Sequence, residues 1–346
     1  MIWNGRGSTL AEALVKYDVD EVYYSDEISD FVADWFLHSR NGGCLFALHA
    51  AQTVQGEYAI DTTSLQPAMN LARMIKDDHE IQLIQKANDI SSAAHTAVLA
   101  NILRFKNEAQ VEGLFLDVCI SRQAKEQAYD PIAASGPNAG TLHYDANNEA
   151  FDDRQLMCLD AGCEYQLYAS DITRTFPLAS SWPSKEAESI YKLVERMQES
   201  CIERLAPGVR YLDLHILAHQ IAIDGLLQLG ILHNGTKEEI YKAGTSKAFF
   251  PHGLGHHVGL EVHDVGQAEL MSVRRGKPVL DQASLSYACD MTGSDQGQAP
   301  SLYPEGFHES VYDSHTCHAP TDPQSSQLEE GMVVTVEPGM WVARSW

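Results

Sequence analysis

A chain of 346 residues, 44% hydrophobic and 21% charged, is long enough for two domains and a large core, and length alone allows one to three domains. Its 24 basic against 48 acidic residues give a formal charge of -24, which argues against nucleic acid or an anionic membrane as the main partner and suits attraction of divalent cations. Seven cysteines, odd in number and never in zinc-type pairs, fit the reduced, buried thiols of a cytoplasmic protein; no secretory signal is expected at Met1-Ile2-Trp3-Asn4-Gly5-Arg6, and no window approaches the roughly 18 apolar residues of a membrane span.

Residues 1–70 read as a short α/β piece. Strands are expected at Glu21-Val22-Tyr23-Tyr24 and Cys44-Leu45-Phe46-Ala47-Leu48, with a helix over 27–38 between them that stops at Asn41-Gly42-Gly43. After Pro67 a long helical region begins. Asp77 or Asp78 can cap it, and Ile81, Ile84, Ala87, Ile90, Ala94, Ala97 and Val98 keep a 3.6-residue period. A second helix carries Val111, Leu114, Phe115, Val118 and Cys119 on one face, while His79 and His95 are expected to face solvent. A strand over 129–134 leads into the turn-forming Ser135-Gly136-Pro137-Asn138-Ala139-Gly140, which delivers Thr141-Leu142-His143-Tyr144.

The run Leu156-Met157-Cys158-Leu159 reads as a buried strand that ends on an acid, Asp160, and Asp171 stands at the other end of what reads as a β-hairpin. A carboxylate buried without a partner costs several kcal/mol, so both need an arginine, a lysine or a metal ion. On the hairpin alone, an ion pair with Arg174 and a metal site are both open.

Ser184 caps a helix bearing Ala187, Ile190, Tyr191, Val194, Met197 and Cys201, which stops at Pro207-Gly208, and another helix spans 212–229 before Gly230. Four of the fifteen histidines, His252, His256, His257 and His263, then fall within twelve positions. Glycines at 253, 255 and 259 exclude a long helix there, and with it the helical two-histidine zinc motif. Singly, each histidine reads as a hydrogen-bonded structural residue before it reads as a ligand; together they favour a site. Residues 266–329 read as an irregular surface insertion. Regular patterning returns at 331–340, a predicted strand bearing Glu337.

Asp160, Asp171, His256 and Glu337 thus lie at the ends of separate predicted strands. Carboxylates with one imidazole form a hard, oxygen-rich donor set that favours Mn2+, Co2+ or Zn2+ at carboxylate-bridged positions over a thiolate zinc site. Two such ions can share a hydroxide and clamp a carbonyl oxygen, which leads to amide hydrolysis.

The segments Asp160-Ala161-Gly162-Cys163-Glu164-Tyr165, Ser170-Asp171-Ile172-Thr173-Arg174-Thr175-Phe176-Pro177, His252-Gly253-Leu254-Gly255-His256, Val262-His263-Asp264-Val265-Gly266 and Thr335-Val336-Glu337-Pro338-Gly339 occur in this order. They resemble the creatinase/aminopeptidase, or pita-bread, metallopeptidase family, and within it the Xaa-Pro aminopeptidases and prolidases, over about residues 71–342. The resemblance implies an α+β fold with a pita-bread catalytic domain at 71–346 and a shortened amino-terminal α/β piece at 1–70. It implies two divalent metal ions, most readily Mn2+, bound by Asp160, Asp171, His256 and Glu337, with Asp171 bridging. Glu337 would also take a proton from the attacking water, His252 and His263 would line the substrate pocket, His143 would shuttle protons, and Thr173 and Thr335 would orient the carboxylates. The implied reaction is hydrolysis of an amino-terminal Xaa-Pro bond by a dimetal-bound hydroxide, with proline-containing peptides as substrates and a homodimer as the assembly.

Two departures accompany the resemblance. The family's fifth ligand is a bridging Glu on a strand well beyond the Glu-Pro-Gly motif, and this chain is expected to lack both, because it ends nine residues after Glu337 at Trp346. The amino-terminal domain is also expected to be incomplete. A dipeptidase of the prolidase type and a non-catalytic pita-bread binding protein are therefore the alternatives, with methionine aminopeptidase and creatinase behind them.

Overall fold

The computed structural model describes residues 6–38, 44–49, 51, 59–266 and 327–342. Nearly all of the insertion expected at 266–329, and the stop expected at Asn41-Gly42-Gly43, lie outside these residues. Met69 ends one compact unit and Asn70 opens another.

In the first unit, helix α1 (Leu10–Lys16) starts at a reciprocal cap in which Thr9 and Glu12 bind each other's backbone amides. Helix α2 (Ile28–His38) follows a short 3-10 turn at Ser25–Glu27, and β1 (Cys44–Phe46) pairs in parallel with β2 (Ala59–Asp61). The strand expected at 21–24 does not form. Tyr23 and Tyr24 are exposed, and the Tyr23 ring leans on Phe31 of α2 at 5.0 Å, so aromatic packing rather than a sheet partner holds this segment. Helix α3 (Leu65–Met74) begins before Pro67 rather than after it.

Two helical pairs dominate the second unit. Helix α4 (Asp78–Asn101) is capped by Asp77, whose carboxylate receives the amides of His79 and Glu80 while Glu80 returns a bond to the Asp77 amide. Its periodic positions Ile84, Ala87, Ile90, Ala94 and Val98 are buried, whereas Ile81 remains exposed in the first turn. Ile90, Ala94 and Val98 meet Val111, Phe115 and Cys119 of α5 (Glu108–Ser121). This pair backs a three-stranded antiparallel sheet of β3 (Ile132–Ser135), β4 (Leu156–Asp160) and β7 (Thr173–Pro177). Between β4 and β7 the chain makes a small ribbon of β5 (Glu164–Tyr165) and β6 (Tyr168–Ala169). The hairpin is therefore real, but β4 is buried on one face only: Met157 and Leu159 are fully covered, and Leu156, Cys158 and Asp160 are half-buried.

The other pair is α6 (Lys185–Ile202), capped by Ser184, and α7 (Tyr211–Gln228), which ends before Gly230 at φ +72°. With α8 (Lys237–Lys242) they bury Leu193, Met197, Cys201, Tyr211, Leu212 and Ile223 in a second core that also takes in Phe250 and Leu254. Burying each such large side chain stabilises the fold by about 1.5–3 kcal/mol. The strand expected at 331–340 is not a regular strand. Residues 332–337 run extended beside 254–258, and single bonds join them: Val258 amide to Val333 carbonyl, Thr335 amide to His256 carbonyl, and Glu337 amide to Leu254 carbonyl. Gly255 within one segment, and Gly253, Gly259 and Pro338 beside the two, leave an isolated bridge, His257 opposite Val334, in place of a ladder.

His95, expected at the surface, is buried on α4, with its Nε2 3.1 Å from the Ala161 carbonyl. A buried polar side chain on this helix face thus finds its partner just past the strand it packs against, where it fixes the backbone next to Asp160.

Candidate active site

The β4–β7 pairing sets Asp160 directly opposite Thr173, so Asp171 follows two residues behind on the returning strand. The crossing is tight. A Cβ on Gly162 would stand 1.9 Å from the Ser170 carbonyl oxygen, so only glycine fits there. The turn is also pinned to α4: Ser91 Oγ receives the Cys163 amide at 2.9 Å and meets Ser170 Oγ at 2.8 Å, while Ser170 Oγ reaches the Cys163 carbonyl at 2.7 Å.

His256 and Glu337 arrive on the two extended segments of the second core. The same rule applies there, since a Cβ on Gly255 would lie 2.4 Å from the Thr335 carbonyl. Thr335 Oγ1 accepts the His256 amide at 3.0 Å and donates to Glu337 Oε1 at 2.6 Å, and Tyr211 fixes the Thr335 carbonyl at 2.6 Å. The loop that follows is tied down by charge. Asp264 accepts from buried Lys76 at 2.9 Å and from Arg73 at 2.5 Å, and its amide bonds the His257 carbonyl.

These supports bring the predicted ligands together. His256 Nε2 lies 3.1 Å from Asp171 Oδ2 and 2.9 Å from Glu337 Oε1, and one ligand atom from each of the three lies within 4.8 Å of the others. Asp160 joins them through Tyr129, whose hydroxyl is 2.5 Å from Asp160 Oδ1 and 2.8 Å from Asp171 Oδ1. Arg174, the other candidate partner, is exposed and donates to the neighbouring Thr173 carbonyl, so the acids do not rely on it.

Electrostatics reflect the crowding. Burial first, then the neighbouring Asp171 charge, pushes Asp160 up to about 7. Burial also acts on Asp171, but hydrogen bonds from His256 and Tyr129 outweigh it and hold this carboxyl below its ordinary range. Against the cost of burial, the carboxylates of Asp171 and Glu337 hold the His256 imidazole above its own. Three carboxylates and one imidazole, converging with one acid pushed up to about 7 by burial and its neighbour, form a donor set that fits divalent cations.

The predicted catalytic histidines surround this group in different ways. His263 stacks edge-on with His256 at 4.2 Å, is exposed on its outer side, and is depressed by partial burial and then by the His256 charge. His252 is depressed by burial, and its ring stands between Phe250 at 4.9 Å and Trp341 at 5.0 Å. His143 lies on the exposed 141–143 segment, near enough for its charge to oppose protonation of His263. Thr173 hydrogen-bonds Asp160, and Thr335 holds Glu337, as the resemblance implied. Sequence reading missed Tyr129, taken only as the start of a strand, and the Lys76–Asp264 anchor. Register alone discloses Tyr129: Ile132 pairs with Asp160, which places the residues before β3 beside the acids.

A profile of metallopeptidase family M24 matches residues 82–346. The chain belongs to this family. Among sequences, it is 72% identical over 345 residues to a "Probable Xaa-Pro aminopeptidase" of Pyrenophora tritici-repentis, covering 99% of this chain and 50% of that protein. It is 70% identical over 338 residues to one from Phaeosphaeria nodorum, covering 97% of this chain and 38% of that protein. The M24 chain thus spans half or less of the length of these fungal relatives. Among solved structures, Escherichia coli aminopeptidase P in its low-pH form matches with a TM-score of 0.74 at 26% identity, and Pseudomonas aeruginosa aminopeptidase PepP does the same, each over 99% of this chain and 69% of theirs. The α+β architecture is that of the pita-bread aminopeptidases.

Proposed function

We propose that this M24 protein is a metal-dependent Xaa-Pro aminopeptidase, which removes the residue before a penultimate proline. The observation that supports the reading is the meeting of Asp171, His256 and Glu337 within 4.8 Å, with Asp160 joined to Asp171 through the Tyr129 hydroxyl and His263 stacked on His256. Asp160, Asp171, His256 and Glu337 would hold the divalent ions, Mn2+ first. When bound, such ions supply Lewis-acid polarisation of the scissile carbonyl and lower the pKa of water.

The remaining work belongs to the chain's own groups. Glu337, with 31% of its side chain exposed, faces the solvent side of the cluster and can accept a proton from water while Thr335 holds one of its oxygens. An Xaa-Pro bond is a tertiary amide, so the departing proline nitrogen must receive a proton from the enzyme. His263 and His143 are placed at the open side for that relay. His252, neutral and set between Phe250 and Trp341, suits the apolar pyrrolidine ring. The names of the fungal relatives support aminopeptidase over dipeptidase. A homodimer completes the proposal, and the free thiols of Cys119, Cys163 and Cys201 support a place in the cytoplasm.

The test uses the full-length protein. With Mn2+ it should release the first residue from Xaa-Pro peptides and leave Xaa-Ala peptides intact, and Asp171→Asn should abolish release. A folded protein that carries two ions yet leaves every Xaa-Pro peptide uncut would end this reading.

A further inference from the structure

We propose that Glu108 is a positioning residue: its buried carboxylate clamps the 135–149 segment and so holds His143 at the mouth of the site. The inference rests on the proton-relay role given to His143 above. Glu108 opens α5 and has no solvent exposure. Its Oε1 accepts from the Ser135 amide at 2.8 Å, the Ser135 hydroxyl at 2.6 Å and Asn138 Nδ2 at 3.0 Å. Its Oε2 accepts from the Tyr144 hydroxyl at 2.7 Å and the Glu149 amide at 3.0 Å. An ionised carboxylate offers about four lone-pair directions, so this one is saturated.

All these donors belong to one short stretch of chain, at its start, middle and end. The Glu108 amide adds a bond to the Glu149 carbonyl, and Arg154 stands 4.0 Å from Oε1 while donating to the Ser135 carbonyl at 2.5 Å. Asn147, in the left-handed region at φ 42°, fastens the return by accepting the Ala133 amide and donating to the Pro131 carbonyl. Between these fastenings the chain has little hold of its own. Thr141, Leu142 and His143 are exposed, so packing does not fix them, whereas the residue after His143 is the tethered Tyr144. A charged acceptor in a buried setting binds donors roughly twice as strongly as a neutral one, which is why a glutamate serves here.

The experiment compares Glu108→Gln, Tyr144→Phe, His143→Ala and the Glu108→Gln/His143→Ala pair in the full-length protein, reading amide hydrogen exchange, bound metal and kinetics. Losing one or two charge-assisted bonds should speed exchange across 136–148 by about 10- to 100-fold and leave α4, α6 and α7 unchanged. In Glu108→Gln, kcat for an Xaa-Pro peptide should fall by a similar factor, with KM and metal content held. Tyr144→Phe, which removes a single donor and keeps the fold, should show a smaller loss of the same kind. On the His143→Ala background, Glu108→Gln should cost nothing more. Independent, multiplying losses, or exchange that rises across the whole protein, would overturn the proposal. A fully active His143→Ala would overturn the relay role instead, and exchange alone would then decide the clamp.

Discussion

Two of the sites at which the described residues bury carboxylates stabilise them by opposite means. Glu108 is enclosed by donors from its own chain, and those bonds hold it below the ordinary glutamate range despite the burial that opposes them. At the cluster of Asp160, Asp171 and Glu337 the chain supplies mostly other acids, and Asp160 is driven up to about 7 by burial and then by Asp171. Tyr129 has one hydroxyl hydrogen for two carboxylates. The first site is complete without a ligand, whereas the second is built to be completed by cations. Burial of an acid therefore identifies a function only after its donors have been enumerated.

Asp171→Asn puts this contrast to its hardest test. Activity of the full-length protein should fall on the order of a thousandfold or more, beyond what changes to outer groups cost, and one equivalent of metal should be lost in elemental analysis. Glu108→Ala should show the reverse pattern: no metal lost, but about 3–5 kcal/mol of stability removed in urea titrations, because buried donors are left unpaired. An equal loss of metal in both variants would erase the distinction. Tyr129→Phe is intermediate, and calorimetric titration should find Mn2+ bound about 10- to 100-fold more weakly with the fold intact.

Acidity separates the two sites by sign. The folded pKa of Asp160 lies above its ordinary value of about 3.9, so its contribution to stability is full below that value and lost as pH rises through about 7. Glu108 is held below its ordinary value of about 4.3, so its contribution is present above that value and lost as pH falls through the folded pKa. With a chelator present, acidification from about pH 8 to pH 5 should add stability through Asp160, and further acidification should remove it through Glu108. Asp160→Asn should flatten the first limb in urea midpoints, and Glu108→Gln the second. Arg174→Ala, at an exposed side chain that pairs with neither site, should change stability by less than about 0.5 kcal/mol.

Much of the centre was legible in the sequence because its residues announce themselves locally: an acid that ends an apolar run at Asp160, a histidine among glycines at His256, an acid before Pro-Gly at Glu337. Helices α4 to α7 were legible from their period and caps. What escaped depends on pairing across the fold. Glu108 looks like an ordinary first-turn acid until β3 and the 144–149 return close on it, and His95 looks like a surface histidine until β4 lies beneath α4. Residues 331–340 read as a strand because alternation was correct, yet their neighbour, with glycines at 253, 255 and 259 in and around 254–258, offers no regular ladder.

Helix α4 runs 24 residues, about 36 Å, and is gripped at both kinds of ligand-bearing segment. Midway, Ser91 and His95 seize the turn that carries Asp160 and Asp171, and just ahead of its cap Lys76 seizes the loop that carries His263 and follows His256. One rod thereby sets the gap between aspartates and imidazole, much as a spacer bar sets the jaws of a vice. A bend introduced between Lys76 and Ser91 would leave a well-folded protein whose jaws no longer meet.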